Sequence, residues 1–321
     1  MKMRCIFIFL ACLGVSFHLF SQQTTRYNQY LLCNYLLNPA SAGTNNKLEF
    51  MAGQHRQWIG LADAPTTTFF STTYTYRSNF NYRGSHGFGA FVEQDKRGML
   101  MTKSVYASYA YHLFLSSGLK LAFGMFVGGK SVGLSAAAYN YYDPAMNQTR
   151  KMVYLFPDFI PGFRLYSKSM SLDISVRQLV RGRVRQSGTQ IGTSDSKQIP
   201  HLYITYGQKF YSPTNDFVFF PSIHIQSAIN TRPLIDLGLM VSYHGRLGVG
   251  LAYTYNNSVT SILQLQLMKE AFIGISSSFG TNNLRYVASN TTEIVLGFTP
   301  VAKSDKDPGS RRVARCPSFD Y

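Results

Sequence analysis

The sequence predicts an all-β transmembrane barrel of about fourteen antiparallel strands, built behind a cleaved signal peptide. Three observations predict it. Met1 to Gly14 pair a basic start with an apolar stretch too short to cross a bilayer. No later run reaches the ~18 apolar residues that a spanning helix needs. From Lys47 onward the chain falls into segments of about ten residues whose character alternates, the period of tilted membrane strands.

The signal is placed at residues 1–21, because the chain turns polar at Ser21, Gln22 and Gln23. Cys12 sits in a poor lipobox, since Phe9-Leu10-Ala11 precedes it. Residues 22–46 are expected to form a periplasmic or plug segment, 47–298 the barrel and 299–321 a periplasmic tail. The chain carries 31 basic and 15 acidic residues, a formal charge of +16. Export excludes nucleic acid as the partner of that surplus, which leaves outer-membrane lipid and lipopolysaccharide, an acidic partner or an anion-lined lumen. Without its signal the chain keeps Cys33 and Cys316, either a staple between its ends or two unpaired thiols.

Strand faces follow from parity. Val105, Ala107, Tyr109, Tyr111 and Leu113 share the apolar face, opposite Ser104, Tyr106, Ser108, Ala110 and His112. Leu121, Phe123, Met125 and Val127 oppose Lys120, Ala122 and Gly124, and Leu247 to Tyr255 repeats the pattern. The lumen face reads as rich in Ser, Thr, Gly and Gln, so Ala122→Arg and Gly250→Arg are expected to be tolerated where space allows. Tyr74/Tyr76, Tyr109/Tyr111 and Tyr253/Tyr255 lie two apart on the apolar face, as an interfacial girdle requires.

Tight connections at Ser116-Ser117, Ser167-Lys168, His244-Gly245 and Met268 to Glu270 alternate with longer ones. The longer set includes Gln57 to Pro65, Gly128 to Pro157 and Arg177 to Ile199. Arg77 to Ser85 is long for a turn and Asn256 to Ser258 short for a loop, but short periplasmic turns and longer outer loops otherwise place both termini in the periplasm. Arg177, Arg181, Arg183 and Arg185 are read as loop cations, facing lipopolysaccharide or a partner.

Chemistry is sparse. The histidines are scattered, and no Cys-x-x-Cys, His-Glu-x-x-His or Gly-x-Ser-x-Gly occurs, so neither a metal, a cofactor nor enzymatic activity is expected. Gly87-Phe88-Gly89 lacks the third glycine of a dinucleotide loop and reads as relief of crowding inside the barrel.

Asn38-Pro39-Ala40-Ser41-Ala42-Gly43, His55-Arg56-Gln57-Trp58-Ile59-Gly60, Ala64-Pro65-Thr66-Thr67, Asp95-Lys96-Arg97-Gly98, Pro157-Asp158-Phe159 and Arg315-Cys316-Pro317-Ser318-Phe319 occur in this order over nearly the whole mature chain. Together they resemble the PorP/SprF family of type IX secretion and gliding proteins. Near the last strand this chain has Asn290-Thr291-Thr292-Glu293 where many members have Ser-His-Glu, so no role of that histidine is carried over. The resemblance implies a non-enzymatic outer-membrane subunit acting with the translocon and its periplasmic ring components in export or surface attachment of cargo. A passive channel or small-solute uptake barrel is the alternative. Asn38-Pro39-Ala40 and Gly43 can pack closely against barrel backbone. Trp58 suits the headgroup boundary or the packing of its own loop. The tail is either a disordered terminus or a docking peptide, with Arg311, Arg312 and Arg315 steering and Phe319 anchoring.

Overall fold

Alternation of apolar and short polar side chains leaves each segment no way to bury one face except by pairing, and the pairing here closes on itself. In a computed structural model the described residues are 24–45, 48–77, 84–115, 118–134, 153–179, 199–214, 216–228, 231–281 and 290–300. Strands follow in chain order as β1 (Glu49–Arg56), β2 (Thr66–Tyr76), β3 (Gly84–Arg97), β4 (Leu100–Phe114), β5 (Lys120–Leu134), β6 (Val153–Tyr166) and β7 (Met170–Arg177). Then come β8 (His201–Gln208), β9 (Phe210–Tyr211), β10 (Phe217–Ala228), β11 (Leu234–Tyr243), β12 (Leu247–Thr254), β13 (Ser258–Gln266), β14 (Ala271–Gly280) and β15 (Asn290–Phe298). β8 and β9 pair with the same strand, β10, and act as one stave interrupted at Lys209. Every neighbour is antiparallel, and β15 closes onto β1 from Phe298↔Phe50 to Thr292↔Arg56. The result is a closed barrel of fourteen staves with no free edge, which satisfies the backbone in hydrocarbon.

The expected faces hold. Val105, Phe123, Val127 and Leu251 are exposed on the outside, Val105 and Leu251 each by 61%, while Ser104, Tyr106, Ala110, His112, Ala122 and Ala252 are buried inside. Tyr74, Tyr76 and Tyr109 stand exposed. His86 joins them, its Nδ1 2.8 Å from the Tyr109 hydroxyl and its ring 5.1 Å from that of Tyr111. These aromatics cluster on β2 to β4 at the mouth where β1 begins and β15 ends, here called the proximal mouth, whereas the exposed Tyr253 and Tyr255 lie at the other, distal mouth.

Turn chemistry shapes the hairpins. His244 and Gly245 both have positive φ, 50° and 65°, the primed geometry that matches strand twist, and Arg246 N donates to Tyr243 O at 3.0 Å.

Three sequence readings need correction. The long connection after Gly128 is shorter than expected, because β5 and β6 continue in register through Gly128↔Asp158, Gly129↔Pro157 and Lys130↔Phe156. Glycines, a proline and a lysine masked the period there, yet Lys130 is an interior residue 3.9 Å from Asp158. Arg177 is a buried wall residue and not a loop cation; Arg181, Arg183 and Arg185 lie outside the described residues. The ends of the described chain also lie at opposite mouths. Thr24 sits near the distal mouth beside Tyr203 and Gln226, whereas Thr299 follows β15 at the proximal one. Strand parity does not count the extra pass that residues 24–45 make through the lumen. The segments 1–21 and 301–321 lie outside the described residues.

Leu251→Arg places a cation in hydrocarbon and should cost roughly 2–4 kcal/mol. Leu251→Phe should leave the urea midpoint of the heat-modifiable form unchanged. Gly250→Arg should also fail, for want of the space that tolerance on the lumen face requires, because its side chain would enter the packed cluster of Phe220, Met240 and Ile262. A wild-type midpoint for Leu251→Arg would overturn the assigned outer face.

Candidate functional site

A lumen of this width cannot be filled by wall side chains alone, and residues 24–45 occupy it. They descend from the distal to the proximal mouth as an irregular lead at 24–27, turns at 28–33, a one-turn helix α1 (Asn34–Leu37) and a 3-10 turn at Pro39–Ser41. Pro39 pre-sets that turn, and Asn38 caps it by accepting from Ala40 N at 3.0 Å.

The polar groups of this inner segment meet partners on almost every side of the wall. Near the distal mouth Arg26 pairs with Asp236 at 2.7 Å, braced by Thr254, and Thr25 and Tyr27 both donate to Glu93. The buried Glu293 carboxylate accepts from the backbone N–H of Asn28 at 2.8 Å and of Gln29 at 3.0 Å, and from His55 Nδ1 at 3.0 Å. At mid-depth Tyr30 and Tyr35 place their hydroxyls 2.8 Å from Ser222 and Ser108. Arg177 donates to Leu36 O and Ser175 to Leu37 O. Asp173 gathers Asn34 at 3.2 Å, Asn38 at 2.8 Å and Arg164 at 2.9 Å; Arg164 is itself 0% exposed. Toward the proximal mouth His112 Nε2–H donates to Ala42 O at 2.7 Å, and its Nδ1 lies 2.9 Å from the Tyr166 hydroxyl.

Close approach explains the small residues. Gly87, Gly124 and Gly162 line the wall under Ala42, Ala40 and Asn38-Pro39, and a Cβ on Gly124 would stand 2.5 Å from Ala40 N. Gly43 adopts φ +75°, and a Cβ there would meet Gly87 Cα at 2.8 Å, so it is constrained by both conformation and space. Asn38, Pro39, Ala40 and Gly43 therefore form one inlay against β3, β5 and β6. Gln57, Trp58, Gly60 and Pro65 lie apart, in the β1–β2 loop at the distal mouth. There Gln57 N donates to Pro65 O at 2.9 Å, Ile59 N donates to Asn290 O at 2.9 Å, and Trp58 is half-buried with φ 52°. Arg311, Arg312, Arg315, Cys316, Pro317 and Phe319 lie outside the described residues.

Cys33 is a free thiol with no exposed surface, packed among Tyr27, Leu36 and Phe69. The wall charges were missed from sequence because their partners lie in other strands or in the inner segment, distant along the chain. Their signal is an acid or cation at inward parity, such as Glu93 between Phe91 and Asp95 or Asp173 between Ser171 and Ser175.

Two measurements test this architecture. Glu293→Gln exchanges a charged acceptor of three hydrogen bonds for an amide and should cost roughly 1–3 kcal/mol of inner-segment anchoring. Arg26 is the sole Lys or Arg between Thr24 and Asn45, so tryptic cleavage after Arg26 should accelerate in that variant; an unchanged rate would show that Glu293 does not anchor the segment. In a Cys316→Ser background Cys33 should react with maleimide only after unfolding, and rapid labelling of that native barrel would contradict its packing.

Comparisons with known proteins follow this geometry. The chain resembles in fold the Ralstonia pickettii toluene transporter TbuX, at 12% identity and a TM-score of 0.48, covering 82% of this chain and 92% of that one. It also resembles the Pseudomonas putida toluene transporter TodX, at 11% identity and 0.47, covering 86% and 94%. A Pseudomonas aeruginosa FadL homologue aligns at 10% identity and 0.45, covering 82% and 91%. No curated protein matches. The family model of the type IX secretion system membrane protein PorP/SprF matches residues 19–298, and the chain belongs to that family.

Proposed function

We propose that this protein is a non-enzymatic outer-membrane subunit of the type IX secretion machinery, a filled barrel that anchors protein partners and supports export or surface attachment of cargo. The observation that carries this reading is the inner segment. Its side chains and backbone bond to β2-to-β15 wall residues from Glu93 around to Glu293, so the lumen serves to hold the barrel rigid and not to pass solute. The proximal mouth is assigned to the periplasm, since the longest connections, 57–65, 135–152 and 178–200, all leave the distal mouth, although that mouth also has tight turns at 98–99 and 255–257. Ring components and the translocon would meet it there, and lipopolysaccharide would surround the other rim. The C-terminal tail leaves the barrel at the same mouth after Phe298, where backbone pairing is already complete.

A passive channel would need an open path. In planar bilayers the purified protein should give no steady large single-channel current, and such currents would favour the channel reading. Deleting Arg311 to Tyr321 should leave a heat-modifiable barrel at normal level but abolish secretion of its cargo. Normal secretion by that truncation would remove the tail from the docking role.

A further inference from the structure

We infer that the inner rim of the proximal mouth binds an acidic segment of a soluble partner protein, through a ladder in which cations alternate with aromatic rings. The Arg77 guanidinium lies 5.1 Å from the Phe114 ring centroid, and Lys120 Nζ lies 5.1 Å from the same centroid and 5.5 Å from that of Tyr166. Lys168, exposed on the β6–β7 turn, lies at the same mouth beside the end of β6 that carries Tyr166. Three cations thus converge at one rim. Among the described residues none of the three forms an ion pair, whereas deeper in the lumen Arg164 is matched by Asp173. The adjoining connections, 78–83 and 116–117, contain no Asp or Glu.

Like charges held together without a counter-charge cost stability, and stacking on rings both offsets that cost and fixes the cations in place. Such a site is preorganised for an anion. Its direction selects the source. Arg77, Phe114, Lys120 and Tyr166 share the inward parity of Thr75, His112, Ala122 and Arg164, so they face the axis of the mouth and not the surrounding headgroups. The chain's own tail is poorly suited to cover them: residues 301–321 hold five basic and three acidic side chains. An acidic protein segment approaching along the axis fits both the charge and the geometry. This inference rests on the proposed function only for which side of the membrane the partner comes from.

The test uses the full-length protein in phosphatidylcholine nanodiscs and fluorescein-labelled deca-glutamate, read by anisotropy. Wild type should bind, and salt should weaken binding. Arg77→Gln/Lys120→Gln/Lys168→Gln should weaken it at least about ten-fold. Arg56→Gln/Lys96→Gln/Lys103→Gln, at the distal end, should not. Lys168→Glu alone, at an exposed turn that the fold does not need, should act in the same direction and guards against misfolding of the triple variant, whose heat-modifiability is checked alongside. Equal peptide affinity in wild type and Lys168→Glu would overturn the inference. So would a triple variant that binds peptide normally but retains less phosphatidylglycerol, which would make the rim a lipid site. Peptide binding and cargo secretion are independent readouts: loss of the first with secretion still dependent on the protein sinks the rim alone, and a binding-competent rim in cells whose secretion ignores the protein sinks the secretion role alone.

Discussion

Closing fourteen staves into a ring removes every strand edge but opens a lumen wider than the wall side chains can span, and the rest of the structure answers that constraint. Residues 24–45 fill the space, and they do so with a backbone that has little repetitive hydrogen bonding of its own. Each of their polar groups must therefore find a partner in the wall or bear the cost of burial. The wall supplies carboxylates where backbone N–H groups are offered, at Glu293, and hydroxyls, a guanidinium and an imidazole where carbonyls are offered, at Ser175, Arg177 and His112.

The same constraint explains the distribution of small residues. Tyrosines of the inner segment reach outward where the wall is set back. Where the segment presses against the wall, at Asn38 to Gly43, both surfaces shrink to Gly, Ala and Pro. Alternating large and small contacts pin the segment in depth as well as in rotation. A buried polar network of this kind tolerates little displacement, because sliding by one residue would take Thr25 and Tyr27 away from Glu93 and two backbone N–H donors away from Glu293.

The two mouths then diverge in chemistry. The distal one carries the longer connections and an ordered loop from Gln57 to Pro65, whose backbone is tied to β15 through Ile59 and Asn290. The proximal one carries tight turns, an aromatic cluster on its outer surface and a cationic rim on its inner surface. A filled barrel with chemically distinct ends is suited to holding proteins at defined positions, which agrees with membership of a secretion family more readily than with solute passage.

The sequence by itself determined the barrel. Period-two alternation in β4, β5, β12 and β13 is a local signal, because lipid imposes the same apolar demand on every outward position whatever lies across the sheet. It also determined that Asn38 to Gly43 must pack tightly, since Gly and Pro there have few other uses. Tertiary structure alone decided the rest. That Lys130 and Arg177 belong to walls and not loops depends on Asp158 and Leu36, which are distant in sequence. Glu93, Asp173 and Glu293 lie in three separate strands, and their common role emerges only when the ring closes around Tyr27, Asn38 and Gln29. The path of the inner segment, which carries Thr24 to the mouth opposite Thr299, follows from filling a space that does not exist until the last strand meets the first.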